Sequence, residues 1–236
     1  MQHMSCNGHI LRAFVRILAQ YPQVLPELEY LLSVGLLEHM GVNETHAMIE
    51  HWVRVTSDMD LGLKAGASMC IGASGALDFA MHSASTLREG FELAAQYSHL
   101  FGDALVLTLE ENDGRMLLRF NQSVSSIRAV SDFTLSAWYH VHLRDRLGNG
   151  AGLSVLFAHP TPTNISEYER TFANAALVFD AQDYGFSFDA KLVDTPLDSG
   201  DEALHLAHLA HLALLHRRSS RSFALSATTF ESFPRA

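Results

Sequence analysis

Residues 153–197 read LSVLFAHPTPTNISEYERTFANAALVFDAQDYGFSFDAKLVDTPL, and the order of the patterns within them decides the fold. Leu153 to Ala158 is a short, continuous apolar run, which is typical of a strand inside a sheet. The prolines that follow break this strand, and Asn164 then caps a short helix. Residues 176–179 and 184–188 predict two further strands. The stretch therefore predicts a strand, a helix and two more strands.

The clearest local pattern lies upstream of this stretch and predicts a β-hairpin. Residues 104–111 and 115–120 have the composition of two strands. Asp113-Gly114 between them is a strong hairpin signal, because these residue types accept the positive φ angles of a tight turn. A long helix, from about Ser126 to Arg146, then connects the hairpin to the strand that begins at Leu153.

The first third of the chain is predicted to be helical. Apolar residues recur with helical spacing over residues 8–20, and further helices are predicted over 27–37 and 43–55. The last helix is predicted from Asp201 to about His216. These elements together predict an α+β fold in a single domain, with helices packed around an antiparallel sheet of about five strands.

A glycine-rich segment, residues 62–75, precedes a predicted helix over 76–82. Its end, Gly72-Ala-Ser-Gly75, is similar to loops whose backbone N–H groups bind phosphate. No Lys-Ser/Thr pair follows and no clear buried strand precedes it, so a turn is the favoured interpretation. Ser74 does not stand in the Gly-x-Ser-x-Gly elbow of a hydrolase, and the acidic residues show no paired-carboxylate pattern. We therefore expect neither enzymatic activity nor a cofactor.

Composition and charge limit the partners of the chain. Its 236 residues, of which 48% are hydrophobic, can bury a large core and lie near the upper size of one domain. The chain has 16 basic and 26 acidic residues, which give a formal net charge of −10. Because an acidic protein repels the phosphate backbone, the chain alone is expected to bind DNA poorly.

The chain lacks the marks of an exported or membrane protein. Its N-terminal helix carries Arg12 and Arg16 inside the apolar run, unlike a secretory signal. No segment approaches the roughly twenty apolar residues that a membrane helix needs. Cys6 and Cys70 are too few for a disulfide framework and suit a reducing compartment. A cytoplasmic location is expected.

A family resemblance rests on packing and turn residues rather than on catalytic ones. Residues 153–197 resemble the effector-sensing region of AraC-type bacterial transcription regulators, in the subgroup with an "arabinose-binding" N-terminal domain. Residues 61–75 and the elements after them have this family's order of Gly-rich loop, amphipathic helix and β-hairpin. The residues that carry the resemblance are Leu77, Ser83, Ser85, Thr86, Leu87, Ala94, Tyr97, Phe157, Ala158, His159, Pro160, Glu167, Tyr168, Phe172, Phe186, Phe188, Asp189, Leu192, Asp194, Pro196 and Leu197.

The resemblance implies an effector-sensing and dimerisation domain over residues 8–216. Its partners would be a small-molecule effector and a second subunit, in a homodimer or in a mixed dimer with a full-length regulator. Such regulators continue into a basic domain with two helix-turn-helix motifs, which this chain is expected to lack. Residues 217–236 are rich in Ser, Thr and Arg and are expected to form a disordered tail.

Four residues are candidates for lining an effector cavity, because ligand sites are usually concave and apolar with few polar groups. They are Trp138, His159, Tyr168 and Phe188. Of these, His159 lies in the Ala-His-Pro run that the family shares. The apolar last helix is the candidate dimer surface.

The last helix also carries His205, His208 and His211 at intervals of three residues, and neighbouring pairs of these could share a metal ion. In the favoured interpretation the leucines of this helix pack while the histidines lie half-exposed, so no metal site is predicted. The alternative function is that of a stand-alone protein that binds a small molecule or a metal and has no role in transcription.

Overall fold

The structure is a computed structural model that describes most of the chain. The described residues are 6–35, 40–73, 75–98, 105–122, 127–147, 152–173 and 175–230, with side chains except at 6, 7, 105, 122 and 218–230. Ser74, part of the glycine-rich segment, lies outside the described residues.

Helices form the N-terminal part of the described chain. They are α1 (Cys6–Leu18), α2 (Leu25–Ser33), α3 (Val42–Thr56), α4 (Leu61–Ala67), α5 (Ala76–Ser83) and α6 (Leu87–Gln96), with a 3-10 turn at Pro22–Val24 before α2. The helical N-terminal third is therefore confirmed.

Strands and helices alternate in the remainder. They are β1 (Leu105–Asn112), β2 (Arg115–Gln122), α7 (Arg128–Trp138) with a π-helical turn at Tyr139–Leu143, β3 (Leu153–Leu156), α8 (Ser166–Thr171), β4 (Ala176–Val178), β5 (Gly185–Asp189), α9 (Ala190–Val193) and α10 (Glu202–Phe230).

The sheet has five strands in the order β1-β2-β5-β3-β4. Three of its strand pairs are antiparallel, and β3 pairs with β4 in parallel. The parallel pair arises because the chain leaves β3, passes through α8 and returns as β4, which is the crossover connection that parallel strands need. The α+β fold with a five-stranded sheet is confirmed, and the sheet is mixed rather than wholly antiparallel.

The β-hairpin is confirmed in detail. Asn112 pairs with Arg115 at the end of the ladder. Asp113 and Gly114 both adopt positive φ angles, 49° and 75°, as a two-residue hairpin turn requires.

Helix α7 lies between two hydrophobic cores and contributes to both. Leu135 and Trp138 pack into the core next to the sheet. Ala129, Val130 and Phe133 pack into a second core that the N-terminal helices form. Because α7 is buried on opposite faces, most of its polar side chains are shielded from water.

Residues 71–73 and 75 form a turn, as predicted, whereas residues 61–67 of the expected Gly-rich loop form α4. Gly62 and Gly66 place the backbone of this helix directly against α7. A Cβ atom at Gly62 would lie 2.1 Å from the carbonyl oxygen of Ala129, and one at Gly66 would lie 2.5 Å from that of Phe133. These glycines therefore serve close helix packing rather than a turn.

The last helix is longer than the predicted one, because α10 continues to Phe230. The assignment of residues 217–236 to a disordered tail stays a prediction. Cys70 is a free, exposed thiol. No helix among the described residues is long and apolar enough to cross a membrane.

The close approach of α4 to α7 gives a first prediction. We expect Gly62→Ala to lower the free energy of unfolding by about 1–3 kcal/mol, since the new methyl group overpacks the contact with Ala129. Each kcal/mol corresponds to a fall of about 2–4 °C in the thermal midpoint, which circular dichroism measures.

Gly41→Ala is the control for this change. The added Cβ would meet only the Glu44 carboxylate, at 3.6 Å. We expect a loss of no more than about 1 kcal/mol, because alanine is the poorer N-cap residue. An equal loss in the two variants would contradict the packing role of Gly62.

Candidate functional site

A fully buried carboxylate, that of Asp132 on α7, is the centre of the candidate site. Its Oδ1 atom lies 3.1 Å from Nε2 of His159, which follows β3. Its Oδ2 atom accepts a hydrogen bond of 2.6 Å from the hydroxyl of Tyr168 on α8. Arg128, one turn earlier on α7, donates from Nε to the same oxygen over 3.3 Å. One carboxylate thus connects α7, α8 and the end of β3.

Arg128 compensates the buried negative charge. A buried carboxylate without a partner is strongly destabilising, so an ion pair with donated hydrogen bonds is the usual arrangement. The guanidinium group of Arg128 also lies 5.6 Å from the centroid of the Tyr168 ring and donates to the Tyr168 oxygen over 3.1 Å. A weaker contact of 3.5 Å reaches Asp60, just before α4. Arg128 is therefore shared among three oxygen-bearing groups.

The ring of His159 connects the carboxylate to the backbone that follows β3. Its Nδ1 atom lies 2.8 Å from the carbonyl oxygen of Pro160, while Nε2 faces Asp132. Both neighbouring oxygens are acceptors, and a neutral imidazole has one N–H, so only protonation would allow both contacts to be donated hydrogen bonds.

Tyr168 is fully buried, like Asp132. Burial, followed by the nearby Asp132 carboxylate, raises the pKa of its hydroxyl above the ordinary value for tyrosine. The hydroxyl therefore stays protonated and donates to Asp132. The ring packs edge-on against Phe157 and Phe179, with centroids 5.1 and 5.3 Å apart. An aromatic wall thus closes one side of the polar group.

Tyr184, which immediately precedes β5, connects the candidate site to the sheet. Its ring lies 6.1 Å from that of His159, and its side chain hydrogen-bonds Ser131, the neighbour of Asp132. Burial raises the pKa of Tyr184 as well. The site therefore contains two tyrosines, one from α8 and one from the segment before β5.

The structure brings two of the four predicted lining residues together. The Tyr168 hydroxyl lies 3.4 Å from Nε2 of His159. Trp138 and Phe188 lie instead in the sheet-side core, where Trp138 packs on Phe120 at 5.1 Å and Phe188 on Phe91 at 5.2 Å.

Sequence reasoning missed Asp132 and Arg128, which hold the site together. A signal for them was present, because they stand four residues apart in a helix whose other positions are mostly apolar. At that spacing the two side chains lie on one face. An aspartate within a helix that is buried on opposite faces requires a partner, and Arg128 is within reach.

The candidate metal ligands form contacts between α10 and α5. His205 directs Nδ1 to the carbonyl oxygen of Ala80 at 3.0 Å, and His208 directs Nδ1 to the Ser83 hydroxyl at 3.1 Å. His211 is exposed. Among the described residues, no three His, Cys, Asp or Glu side chains are grouped so that they could hold a metal ion.

An open cleft of about 650 Å³ lies beside the Asp132 site, between α3 and the start of α7. Its lining combines apolar side chains with two arginines, and Arg128 is common to the cleft and to the site. The lining residues are Glu50, Val53, Arg54, Ser57, Met59, Ile127, Arg128 and Ala129.

The hydrogen bond from Tyr168 to the carboxylate gives a second prediction. We expect Tyr168→Phe to lower the free energy of unfolding by about 1.5–3 kcal/mol, the usual contribution of a hydrogen bond to a charged group. Urea denaturation measures the change. Tyr30→Phe is the matched control, because Tyr30 is 64% exposed on α2, and it should change stability by less than about 0.5 kcal/mol. An unchanged free energy of unfolding in Tyr168→Phe would contradict the described role of the hydroxyl.

Comparison with known proteins places the chain in a family. Residues 38–197 match the family described as the arabinose-binding domain of AraC transcription regulators, N-terminal. The crystal structure of the transcriptional regulator CdpR from Pseudomonas aeruginosa is similar to this chain, with 18% sequence identity and a TM-score of 0.59. The similarity covers 91% of this chain and 73% of that one. No curated protein matches the chain. Because the family match covers more than half of its residues, the chain belongs to the family of AraC-type transcription regulators with an arabinose-binding N-terminal domain.

Proposed function

We propose that this chain is the effector-sensing and dimerisation module of an AraC-type regulator. It binds a small molecule and controls transcription through a DNA-binding partner or through a DNA-binding half. Family membership supports the regulatory role. The observation that carries the sensing role is the Asp132 site, because one buried carboxylate holds three elements together beside an open cleft.

A sensor must bind its effector better in one conformation than in another, since equal affinity would shift no equilibrium. Polar groups around Asp132 suit this requirement. A ligand that supplies or removes one hydrogen bond in a buried network changes the relative stability of the conformations that contain it. His159 and Tyr168 are the proposed polar residues that respond to the effector, through Arg128, which is common to the cleft and to the site. Trp138 and Phe188 would reach a ligand only if the sheet-side core opened.

We assign a binding role to the site rather than a catalytic one. Asp132 and His159 form a pair that is typical of general bases, but both oxygens of Asp132 face donors or the imidazole ring. A catalytic base has to lie within hydrogen-bond reach of the proton that it removes. The carboxylate is enclosed by Arg128, His159 and Tyr168, so a substrate would have to displace one of them.

Dimerisation is proposed for the outer face of α10. Leu204, Ala207, His211 and Leu214 follow one another at the 3-4-3 spacing of a coiled-coil seam, and all four are exposed. Leu204 and Leu214 expose 49% and 53% of their surface. The buried His205 contacts Ser83 of α5 from a neighbouring face of α10, whereas the four seam residues are exposed and are the proposed contact with a second subunit. This subunit is a second copy or a full-length regulator, which a mixed dimer would silence.

The sensing proposal is tested by native mass spectrometry of the purified chain, with and without a chelator. We expect a dimer that carries a non-metal small-molecule adduct, because the family senses small ligands. The adduct should be reduced in a His159→Gln variant. A chelator-sensitive metal adduct that is lost on replacing His208 and His211 with alanine would overturn the proposal in favour of a metal-binding protein.

The dimer seam gives a separate prediction. We expect the double variant Leu204→Glu, Leu214→Glu to be monomeric, because four like charges would meet in the seam of a two-stranded contact. Light scattering after size exclusion measures the mass. Leu32→Glu is the control, because Leu32 is 56% exposed on α2, outside the seam, and should leave the dimer intact. A monomeric wild-type chain, or a dimeric double variant, would contradict the seam.

A further inference from the structure

We propose that the cleft between α3 and α7 binds an apolar molecule that carries a single carboxylate. We further propose that Arg128 couples the occupancy of the cleft to the hydrogen bonds around Asp132. This inference deepens the proposed sensing function and rests on it. It names the place and the chemical class of the effector.

The cleft has the dimensions and the lining of a small-molecule site. Its volume of about 650 Å³ lies within the usual range for ligand pockets, about 300–1,000 Å³. Val53 and Met59 on one side and Ile127 and Ala129 on the other form its apolar part. Met59, which lines the cleft, exposes 56% of its surface, so its side chain is available for contact with a ligand. A hydrocarbon segment would find apolar surface on both walls.

The charged side chains of the cleft favour an anion at Arg54. Arg54 and Arg128 line the cleft together with one carboxylate, Glu50, and the charge of Arg128 is already compensated by Asp132. Arg54 is exposed and forms no ion pair with any residue that the structure describes. Guanidinium groups bind carboxylates in a bidentate geometry. Glu50 would repel the second charge of a phosphate monoester, so a single carboxylate fits better.

The backbone contributes a further attraction for an anion. Helix α7 begins at Arg128 beside the cleft, and its N-cap residue, Ile127, provides no side-chain cap. The first N–H groups of a helix carry partial positive charge, which favours an anion near this end of α7. A carboxylate held between the two arginines would lie at this end of α7.

Arg128 connects the cleft to the buried network. Its Nε donates to Asp132 and to Tyr168, while Nη2 reaches Asp60 over 3.5 Å, the longest of its ion-pair contacts. The ligand carboxylate would compete with Asp60 for the Nη atoms. Binding would therefore change the partners of the residue that neutralises Asp132, and with them the junction of α7, α8 and β3.

The test uses octanoate, octan-1-ol and octylamine as probes, with calorimetric titration of the full chain. We expect octanoate to bind about tenfold more tightly than octan-1-ol, and Arg54→Gln to remove that preference; tenfold corresponds to about 1.4 kcal/mol. Asp60→Asn should strengthen octanoate binding about threefold, because it removes the competing carboxylate, a readout that a merely structural role would not produce. Arg16→Gln, the same change on the exposed face of α1, is the control and should have no effect.

The proposal is overturned if octan-1-ol or octylamine binds as tightly as octanoate, or if Arg54→Gln leaves octanoate binding unchanged. The unfolding midpoint of Arg54→Gln should equal that of the wild type, because Arg54 is exposed, which excludes misfolding as the cause of lost binding. A native small-molecule adduct that persists in Arg54→Gln would overturn the cleft assignment and leave the sensing function standing. Absence of such an adduct from both proteins, together with octanoate binding that depends on Arg54, would support the cleft and count against a resident effector.

Discussion

The negative charge of Asp132 is the constraint on which the surrounding structure depends. A carboxylate inside the domain is tolerated only with partners, and its partners come from different elements. Arg128 comes from the same helix, His159 from the end of β3 and Tyr168 from α8. These elements cannot separate without exposing or abandoning the charge. The site therefore holds three elements of the fold together, and we propose that a ligand acts on the fold here.

Helix α7 carries this joint because it lies between the two cores. The N-terminal helices pack on one of its faces and the sheet-side core on the other. Glycines in α4 bring the backbone of that helix against α7, so that this side has little room to adjust. The start of α7 is different, because Arg128 opens onto the cleft. A signal that enters at this end would be transmitted through a rigid helix to the end of β3.

The sequence predicted the elements whose determinants are local. The hairpin was predictable because Asp113 and Gly114 specify its turn by themselves, and the short strand at Leu153 because it is a continuous apolar run. Helix α4 was missed because Gly62 and Gly66 are poor helix formers, and the reason for them lies in the tertiary contact with α7. The parallel pairing of β3 and β4 likewise depends on where α8 returns the chain.

The same distinction applies to the candidate site. His159 and Tyr168 were predicted because they lie in the stretch that resembles the family, and the structure places them in contact. Phe188 lies in the same stretch and Trp138 in α7, and the structure places both in the sheet-side core, because membership of the stretch does not separate a core position from a cavity wall. Asp132 and Arg128 were overlooked because an i,i+4 pair of charges is usually a solvated helix face. Burial on both sides of α7 is what gives this pair its role.

The account depends on Asp132 and Tyr168 acting as one unit, and a double-mutant cycle tests this most directly. Asp132→Asn, Tyr168→Phe and the double variant would be compared by urea denaturation at neutral pH. If the carboxylate organises the junction, the two changes should not add, and the coupling free energy should be at least about 1 kcal/mol. Losses that add to within about 0.5 kcal/mol would show that the two side chains act independently and would contradict the account.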